Sequence, residues 1–577
     1  MTCDQTSPEQ PRTSPLPRRS VLAGGLATGA GGAALALAGP AAAAGPAGTG
    51  DAAAKPGNRV FRHGVASGDP LPGAVVLWTR VTPTPASRPG SGRGPKAEVT
   101  WEVATDRRFR RVVRRGKVST GPWRDHTVKV DATGLDPETW YYYRFRHGRA
   151  LSPVGRTRTA PAPNALPENL RFGVTSCANL QAGWFTAYRG LAQRDDLHAV
   201  LHLGDYLYEY PSGGYGYGSA DQVIRPHEPE HEIVTLADYR QRHAQYKSDP
   251  DLQALHAKYP FIVVWDDHES TNDAWRDGAE NHQPEAEGEW AARRNVAHRA
   301  YDEWMPVRLS GTAKLGDGTA LFRRLRFGQL AELSLLDLRT YRDQQVAVPL
   351  LDPAVSDPDR TITGRRQMKW LKDSLDNRRA QWKLVGNPVM IAPVTFAALP
   401  KDLIRPVNDT VGLLPADGLP YNVDQWDGYT DDRRELFEHI RDRGVQDAVF
   451  LTGDIHSGWA CELPYDNATY PIGDSAGVEL VCTSVTSNNL KDILSAPPRT
   501  ASLAVEAIIQ ANNRHVRYLN FDDHGFSVLD LTAQRAQMDW FVIGDRKSPD
   551  LTVSHTASWA TATGTGKLTR VQDPVGA

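Results

Sequence analysis

Four apolar segments of this chain each run into side chains that bind cations. Arg171–Cys177 ends on a thiol, Cys177. Ala199–Asp205 ends on a carboxylate, and the phenol of Tyr208 follows. Phe261–His268 ends on Asp266, Asp267 and an imidazole, His268, with Glu269 next. Ala448–Asp454 ends on a further carboxylate, followed by His456. Taken singly, such groups are ordinary: an Asp-His pair on a loop is usually a hydrogen-bonded turn, and a lone Tyr is usually core. In layered α/β domains, however, ligands bind at strand ends and the loops after them. Gathering these acids in one place would cost several kcal/mol per desolvated charge unless a counter-charge were present. A cluster of cations is the simplest compensation. The donor types narrow the choice. A phenol with pKa near 10 and a thiol near 8.5 bind well only when ionised. Trivalent iron is acidic enough to ionise both, whereas zinc sites rarely use Tyr. The remaining oxygen donors suit calcium, with magnesium or manganese as alternatives. The residues by themselves therefore indicate one harder Lewis acid beside oxygen-liking cations.

The elements that must position these groups fall into two textures. Between Val60 and Ala160, Ala74–Arg80, Glu98–Val103, His126–Val130 and Leu135–Arg144 read as strands separated by Pro/Gly turns. That spacing predicts a small antiparallel sandwich over 58–160. The Leu135-x-Pro137-x-Thr139-x-Tyr141 segment is similar to the strand corner of fibronectin type III domains, with Tyr141 as the residue whose hydroxyl ties back to the backbone. Proline-rich 153–167 is a boundary. From 168 to 545 strands alternate with helices, predicted at 184–195, 285–304, 364–378 and 431–443; Gln329–Asp337 and Trp382–Asn387 are two further strands. Residues 477–542 read as strands again. Residues 209–230 and 395–430 read as long loops over the site, and 546–577 as a C-terminal tail.

The first fifty residues are read as a leader. Arg18-Arg19 precedes an uncharged Ala/Gly-rich run and a small-residue stretch, Ala41–Ala44. This pattern predicts a twin-arginine (Tat) export signal and linker, with the Tat machinery as a partner. No stable membrane span is expected after processing. The product would be periplasmic, associated with the cell wall or extracellular. The net charge of −2 disfavours a general nucleic-acid-binding surface. Without Cys3, the chain keeps Cys177, Cys461 and Cys482. Cys461 and Cys482 are close enough in sequence to bridge, which leaves Cys177 for another purpose.

Gly204-Asp205-x-x-Tyr208, Asp267-His268-Glu269 and Gly453-Asp454-x-His456 together resemble the motif set of the calcineurin-like, binuclear metallophosphatases, which include the purple acid phosphatases. Ser176-Cys177, Gly204–Glu209, Trp265–Glu269, Leu336–Arg342 and Trp426–Tyr429 narrow the resemblance to the PhoD-type alkaline phosphatase/phosphodiesterase family. The resemblance implies an α/β (α+β) four-layer metallophosphoesterase β-sandwich flanked by helices, behind an all-β fibronectin III-like sandwich. It implies Fe3+ and Ca2+, with Mn2+, Mg2+ or Zn2+ as alternatives for the second metal. By the same resemblance, Cys177 stands where the wider fold has an Asp ligand. Asp205 matches the carboxylate that bridges two metals, and Tyr208 the tyrosinate on iron. Asp267 stands where the wider fold has Asn. Asp454 replaces the first His of a Gly-His-x-His motif, and His456 matches the second. A His ligand after the fifth strand is replaced by Asn387, and Asn272 is a further oxygen-ligand candidate. His524 has no assigned role.

The implied chemistry is attack on a phosphate ester by metal-bound hydroxide, with His268 serving the leaving group. Arg339 and Arg342 would hold phosphate oxygens; their other reading is surface ion pairs with Asp337 or Asp343. The expected protein is a monomeric, secreted phosphoesterase acting on small phosphate mono- and diesters in phosphate scavenging. Two alternatives are a phosphodiesterase or phospholipase-like enzyme acting on lipid or teichoic-acid-type diesters, and a cell-wall or glycan-binding protein with structural cations.

Overall fold

Side chains of a strand alternate between its two faces, so a strand apolar throughout must be covered on both. The strand Ala199–Leu203 shows this: Ala199, Leu201 and Leu203 enter one core and Val200 another. In Phe261–Val264, Ile262 and Val264 join the first core, while Phe261 and Val263 join the second. The computed structural model describes residues 59–214, 224–309, 321–347, 352–396 and 419–576. The leader, and parts of both loops expected over the site, lie outside these residues.

Two large sheets carry the fold. The first has ten strands in the order Leu568–Val571, Val553–Ala562, Arg535–Ile543, Gly525–Leu531, Leu170–Thr175, Ala199–Leu203, Phe261–Val264, Val65–Leu71, Ala74–Arg80 and Thr127–Thr133. The second has seven: Arg323–Phe327, Ala331–Leu335, Trp382–Asn387, Ala448–Thr452, Ser475–Val481, Gly458–Pro464 and Val516–Asn520. Residues of both sheets form one shared core, including Phe172, Leu201, Leu333, Trp382, Leu451 and Leu529. The other face of the first sheet packs with residues of the helices Thr186–Gln193, Leu236–Tyr246, Pro250–Lys258 and Trp290–Trp304. The other face of the second packs with Arg365–Leu375 and Thr430–Arg443.

The parallel strands place the site. Leu170–Thr175, Ala199–Leu203 and Phe261–Val264 run parallel in the first sheet. Ala331–Leu335, Trp382–Asn387, Ala448–Thr452 and Ser475–Val481 do so in the second. The loops after them meet: the Cys177 amide donates to Gly204 O at 3.2 Å, and Ser176 bridges to Ser484. Two glycines allow the approach. A Cβ on Gly204, whose φ is +98°, would lie 2.6 Å from Asp266 Cβ; one on Gly453 would lie 2.7 Å from Ser176 Cβ.

Several expectations need correcting. Residues 546–577 are not a tail, because Val553–Ala562 and Leu568–Val571 extend the first sheet. The N-terminal strands are not separate from the rest: Val65–Leu71 pairs parallel with Phe261–Val264, so three of the eight early strands belong to the ten-stranded sheet. The other five form a separate sheet of Val112–Thr120, Ala97–Ala104, Trp140–His147, Ala150–Leu151 and Gly155–Arg158, and the two groups share a core around Val75, Leu77, Val99, Val103 and Tyr143. The Tyr141 hydroxyl accepts from the Asp136 amide at 2.9 Å, as the Leu-Pro-Thr-Tyr segment suggested. Ala501–Asn512, expected in a strand region, is a helix. Cys461 and Cys482 are free thiols. Cys461 packs in the core on one face of the second sheet and Cys482 in the core on the other, so the sheet itself separates them.

Candidate metal centre

The expected ligands sit in a backbone bent to present them. Cys177, Asp205, Asp454 and His456 all have φ between 51° and 63°. A non-glycine residue in the left-handed region costs on the order of 1–3 kcal/mol, and such residues cluster where function requires the geometry. The strand ends first, the chain reverses, and the side chain turns inward.

Asp205 is the hub. Its ligand atoms lie within 4.8 Å of those of Cys177 and His456 in one group, Asp267 and His268 in a second, and Asp266 and Asp454 in a third. Asp205 Oδ2 accepts from the Tyr208 hydroxyl at 2.9 Å. Its Oδ1 is buried with no hydrogen-bond partner. An orphaned buried carboxylate oxygen requires an explanation, and an ion supplies one. Burial, and then neighbouring carboxylates, push Asp205 well above the usual carboxylate range, against the pull of His268. Burial and Asp266 do the same to Asp454. Burial and Asp205 raise the Cys177 thiol well above its ordinary value. Three donors held in their weaker, protonated forms fit a site whose missing charge is cationic.

Tyr208 lies against this hub. Its hydroxyl is 3.2 Å from His456 Nε2 and accepts from Ser487 Oγ at 2.6 Å. His456 Nδ1 donates to Asn488 O at 2.7 Å, which leaves the lone pair on Nε2. Burial lowers this imidazole to about 4, opposed by the Asn488 carbonyl, so it is neutral, the ligand form. Ser487 and Asn488 belong to a loop buttressed by His524, whose Nε2 meets Ser487 O at 2.9 Å, and by Arg546, which donates to Asn488 Oδ1 at 2.6 Å. His524 thus supports the loop and is absent from all three ligand groups.

On the opposite side, Asp267 Oδ1 and Oδ2 accept from the amides of His268 (2.9 Å) and Asp273 (2.6 Å). Burial would raise Asp267, but Arg339 and His268 hold it well below the carboxylate range. The His268 ring lies tilted against that of Tyr208, centroids 4.0 Å apart, and its Nδ1 meets Glu209 Oε2 at 2.7 Å. Burial acts to lower His268, yet Asp267, Glu209 and Asp205 raise it well above 6.5. Glu209 was missed as a functional residue. It also accepts from the Asn272 amide at 2.8 Å and Thr271 Oγ1 at 3.2 Å. Its position at the end of the Gly204–Glu209 motif was the available signal.

The two arginines differ from expectation. Neither is on the surface or paired with Asp337 or Asp343 through its guanidinium. Arg339 is ion-paired with Asp266, meets Asp424 at 2.8 Å, and lies 3.5 Å from Asp454 and 3.8 Å from Asp267. Arg342 is fully buried, donating to Ala274 O (2.9 Å), Asp424 O (2.8 Å) and Gln345 Oε1 (3.1 Å), and pairing with Asp424 Oδ1 at 2.7 Å. Unlike Arg339, Arg342 makes no ion pair with Asp267 or Asp454 among the described residues; its donors rest on Ala274 O, Asp424 and Gln345, and it fixes Asp424, a residue that no sequence motif had marked. The Asn272 side chain donates to Glu280 Oε2 at 2.8 Å. Asn387 accepts from Trp426 Nε1 at 3.0 Å and donates to Val389 O at 2.5 Å, a structural role that removes it as a ligand candidate.

The family model for PhoD-like phosphatase matches residues 172–540, and that for the PhoD-like phosphatase N-terminal domain matches 45–161. Alkaline phosphatase D of Bacillus subtilis (strain 168) is 36% identical over 504 residues, which is 86% of this chain and 80% of that protein. A solved structure of PhoD has a TM-score of 0.77 at 35% identity, covering 90% of this chain and 93% of its own. Matched across most of its length in sequence and in fold, the chain belongs to the PhoD-like phosphatase family and is a phosphoesterase.

Proposed function

We propose that this phosphoesterase is a metal-dependent alkaline phosphatase and phosphodiesterase that is exported by the Tat route and releases phosphate from small mono- and diesters. The observation that carries the reading is Asp205, common to three ligand groups with one buried oxygen unpartnered. The donors fit the cations: Cys177, Asp205, Tyr208 and His456 would hold ferric iron, and the oxygens of Asp205, Asp267 and Asp454 would hold calcium, with manganese, magnesium or zinc as substitutes. Such cations, when bound, supply an acidified water as nucleophile and neutralise charge on the phosphoryl oxygens. His268, oriented by Glu209 through Nδ1, would carry on Nε2 the proton given to the leaving oxygen. Arg339, adjacent to Asp267 and Asp454, is the cation assigned to phosphate oxygens; Arg342 positions it through Asp424.

The same reading takes the shared inter-sheet core with helices on both outer faces as a four-layer metallophosphoesterase sandwich, and 58–160 as fibronectin III-like. The Arg18-Arg19 leader supports export, and among the described residues no helix is long and apolar enough to cross a membrane. The test is elemental analysis and visible absorption of the purified enzyme, with p-nitrophenyl phosphate and its bis ester assayed before and after chelation. Iron with calcium, a tyrosinate–iron band and chelator-sensitive cleavage are expected. Cys177→Ala should lose iron and colour. Full activity in metal-free, folded protein would overturn the proposal.

A further inference from the structure

Val112–Thr120 is the edge strand of the five-stranded sheet and, among the described residues, pairs only with Ala97–Ala104. The turn before it and its first half read Arg107-Arg108-Phe109-Arg110-Arg111-Val112-Val113-Arg114-Arg115-Gly116-Lys117. In a chain of net charge −2, six arginines and a lysine thus fall within eleven residues. Phe109 is buried under the Arg144 guanidinium, 4.0 Å from its ring centroid, and pins the turn to the sheet. Asp106, the acid of this turn, accepts from the amides of Arg108 (3.0 Å), Arg110 (3.2 Å) and Arg111 (2.8 Å), so its carboxylate shapes the backbone. Arg114 folds back onto Thr133 O at 3.1 Å, and Lys117 pairs with Glu98 at 2.9 Å. Arg107, Arg108, Arg110, Arg111 and Arg115 remain exposed, and among the described residues no carboxylate lies within ion-pair distance of them. Between the arginine pairs, Val112 and Val113 are 38% and 36% exposed.

Charged side chains commonly protect an edge strand from pairing with another. That role does not account for Arg107–Arg111, which lie in and just after the turn ahead of the strand. Nor does it account for an uncovered valine pair at the strand's beginning. A linear polyanion would need the cations and have no use for the valines. A charged bilayer needs both: phosphate headgroups take guanidinium groups bidentately, and small apolar side chains enter the headgroup–acyl boundary. We propose that this hairpin docks the protein on an anionic phospholipid surface, with the five arginines among the headgroup phosphates and Val112 and Val113 at the acyl boundary. The proposal is independent of the metal centre.

The test is co-sedimentation of the whole protein with vesicles of phosphatidylglycerol in phosphatidylcholine, against phosphatidylcholine alone, at about 0.1 M and about 0.5 M salt. Binding should require phosphatidylglycerol and fall with salt. The fourfold variant R107Q/R108Q/R110Q/R111Q should lose at least about tenfold in affinity, since each near-surface arginine contributes separately. V112S/V113S should weaken vesicle binding several-fold while leaving retention on a soluble polyanion, dextran sulfate, unchanged. Both variants should cleave p-nitrophenyl phosphate as the parent does, which shows that they are folded. Vesicle binding by the fourfold variant equal to the parent's, or no preference for phosphatidylglycerol, would overturn the proposal. So would parent binding to dextran sulfate alone, which would make the partner a soluble polymer.

Discussion

Among individual residues, Glu209 offers the sharpest test of how the centre works. It is buried, and its carboxylate accepts from His268, Asn272 and Thr271. A counter-charge on Nδ1 both orients the imidazole and favours its protonated form. Glu209→Gln keeps the shape and removes the charge. The expected result is a fall in kcat of about 10- to 100-fold, with KM nearly unchanged. The loss should grow as the leaving group becomes more basic, because a good leaving group needs its proton least. A uniform loss across leaving groups would mean that Glu209 is only structural. His268 itself was legible from Asp-Asp-His-Glu, as were Cys177, Asp205, Tyr208 and His456 from their strand ends. Asp424 was not, because a carboxylate in a long loop has no periodic signal, and only the arginines around it give it a role.

Elements are joined by buried charge as well as by apolar surface. Asp69, on Val65–Leu71, accepts two bonds from Arg323 and one from the Arg308 amide, all at 2.7 Å, with neither charged side chain exposed. This pair ties the early strands to Arg323–Phe327 at the edge of the second sheet. Asp69→Asn would leave the Arg323 charge buried without its partner, which costs about 3–5 kcal/mol. Urea unfolding should show an unfolding free energy lower by that amount, seen as a lower midpoint at unchanged m, while metal content in the folded protein is kept. Ending the chain at Arg546 should be more damaging. It removes Ala557, Trp559 and Leu568 from the inter-sheet core and bares Arg535–Ile543 as a long unpaired edge, so soluble yield should collapse. The helix Leu236–Tyr246 was overlooked although Thr235 and Asp238 form a capping box, a signal present in the sequence. The helix Ala501–Asn512 was read as strand because its run of small and β-branched apolar residues has no clear period.

For the whole molecule, each buried neutral histidine adds a component to stability that rises with pH, opposite in sign to that of buried acids such as Glu479, which burial raises to about 7. Burial lowers His202 to about 3 and His515 to about 4, the latter against the Pro393 carbonyl. In the unfolded chain each titrates near 6.5. Between those values the unfolded chain binds more protons than the folded one, so stability rises with pH across the window. The contribution is complete above about 6.5 and is lost as pH falls towards 4, at roughly 1.4 kcal/mol per pH unit for each histidine. Urea midpoints at about pH 7.5 and pH 5 would measure it. His202→Gln should lower the slope relative to the parent by that amount, whereas a slope unchanged by the substitution would contradict the assignment.

The sequence by itself determined which side chains could meet a metal and that they lie at strand ends, because apolar runs, turn residues and donor chemistry are local properties. It could not determine that a stretch taken for a tail completes the main sheet, that three of the early strands join it, or that two cysteines face opposite cores. Those outcomes depend on which strand pairs with which, a competition among distant segments that only the assembled chain resolves. The same holds for Arg342. Its type suits phosphate, but its burial beside Asp424 directs its donors to the protein.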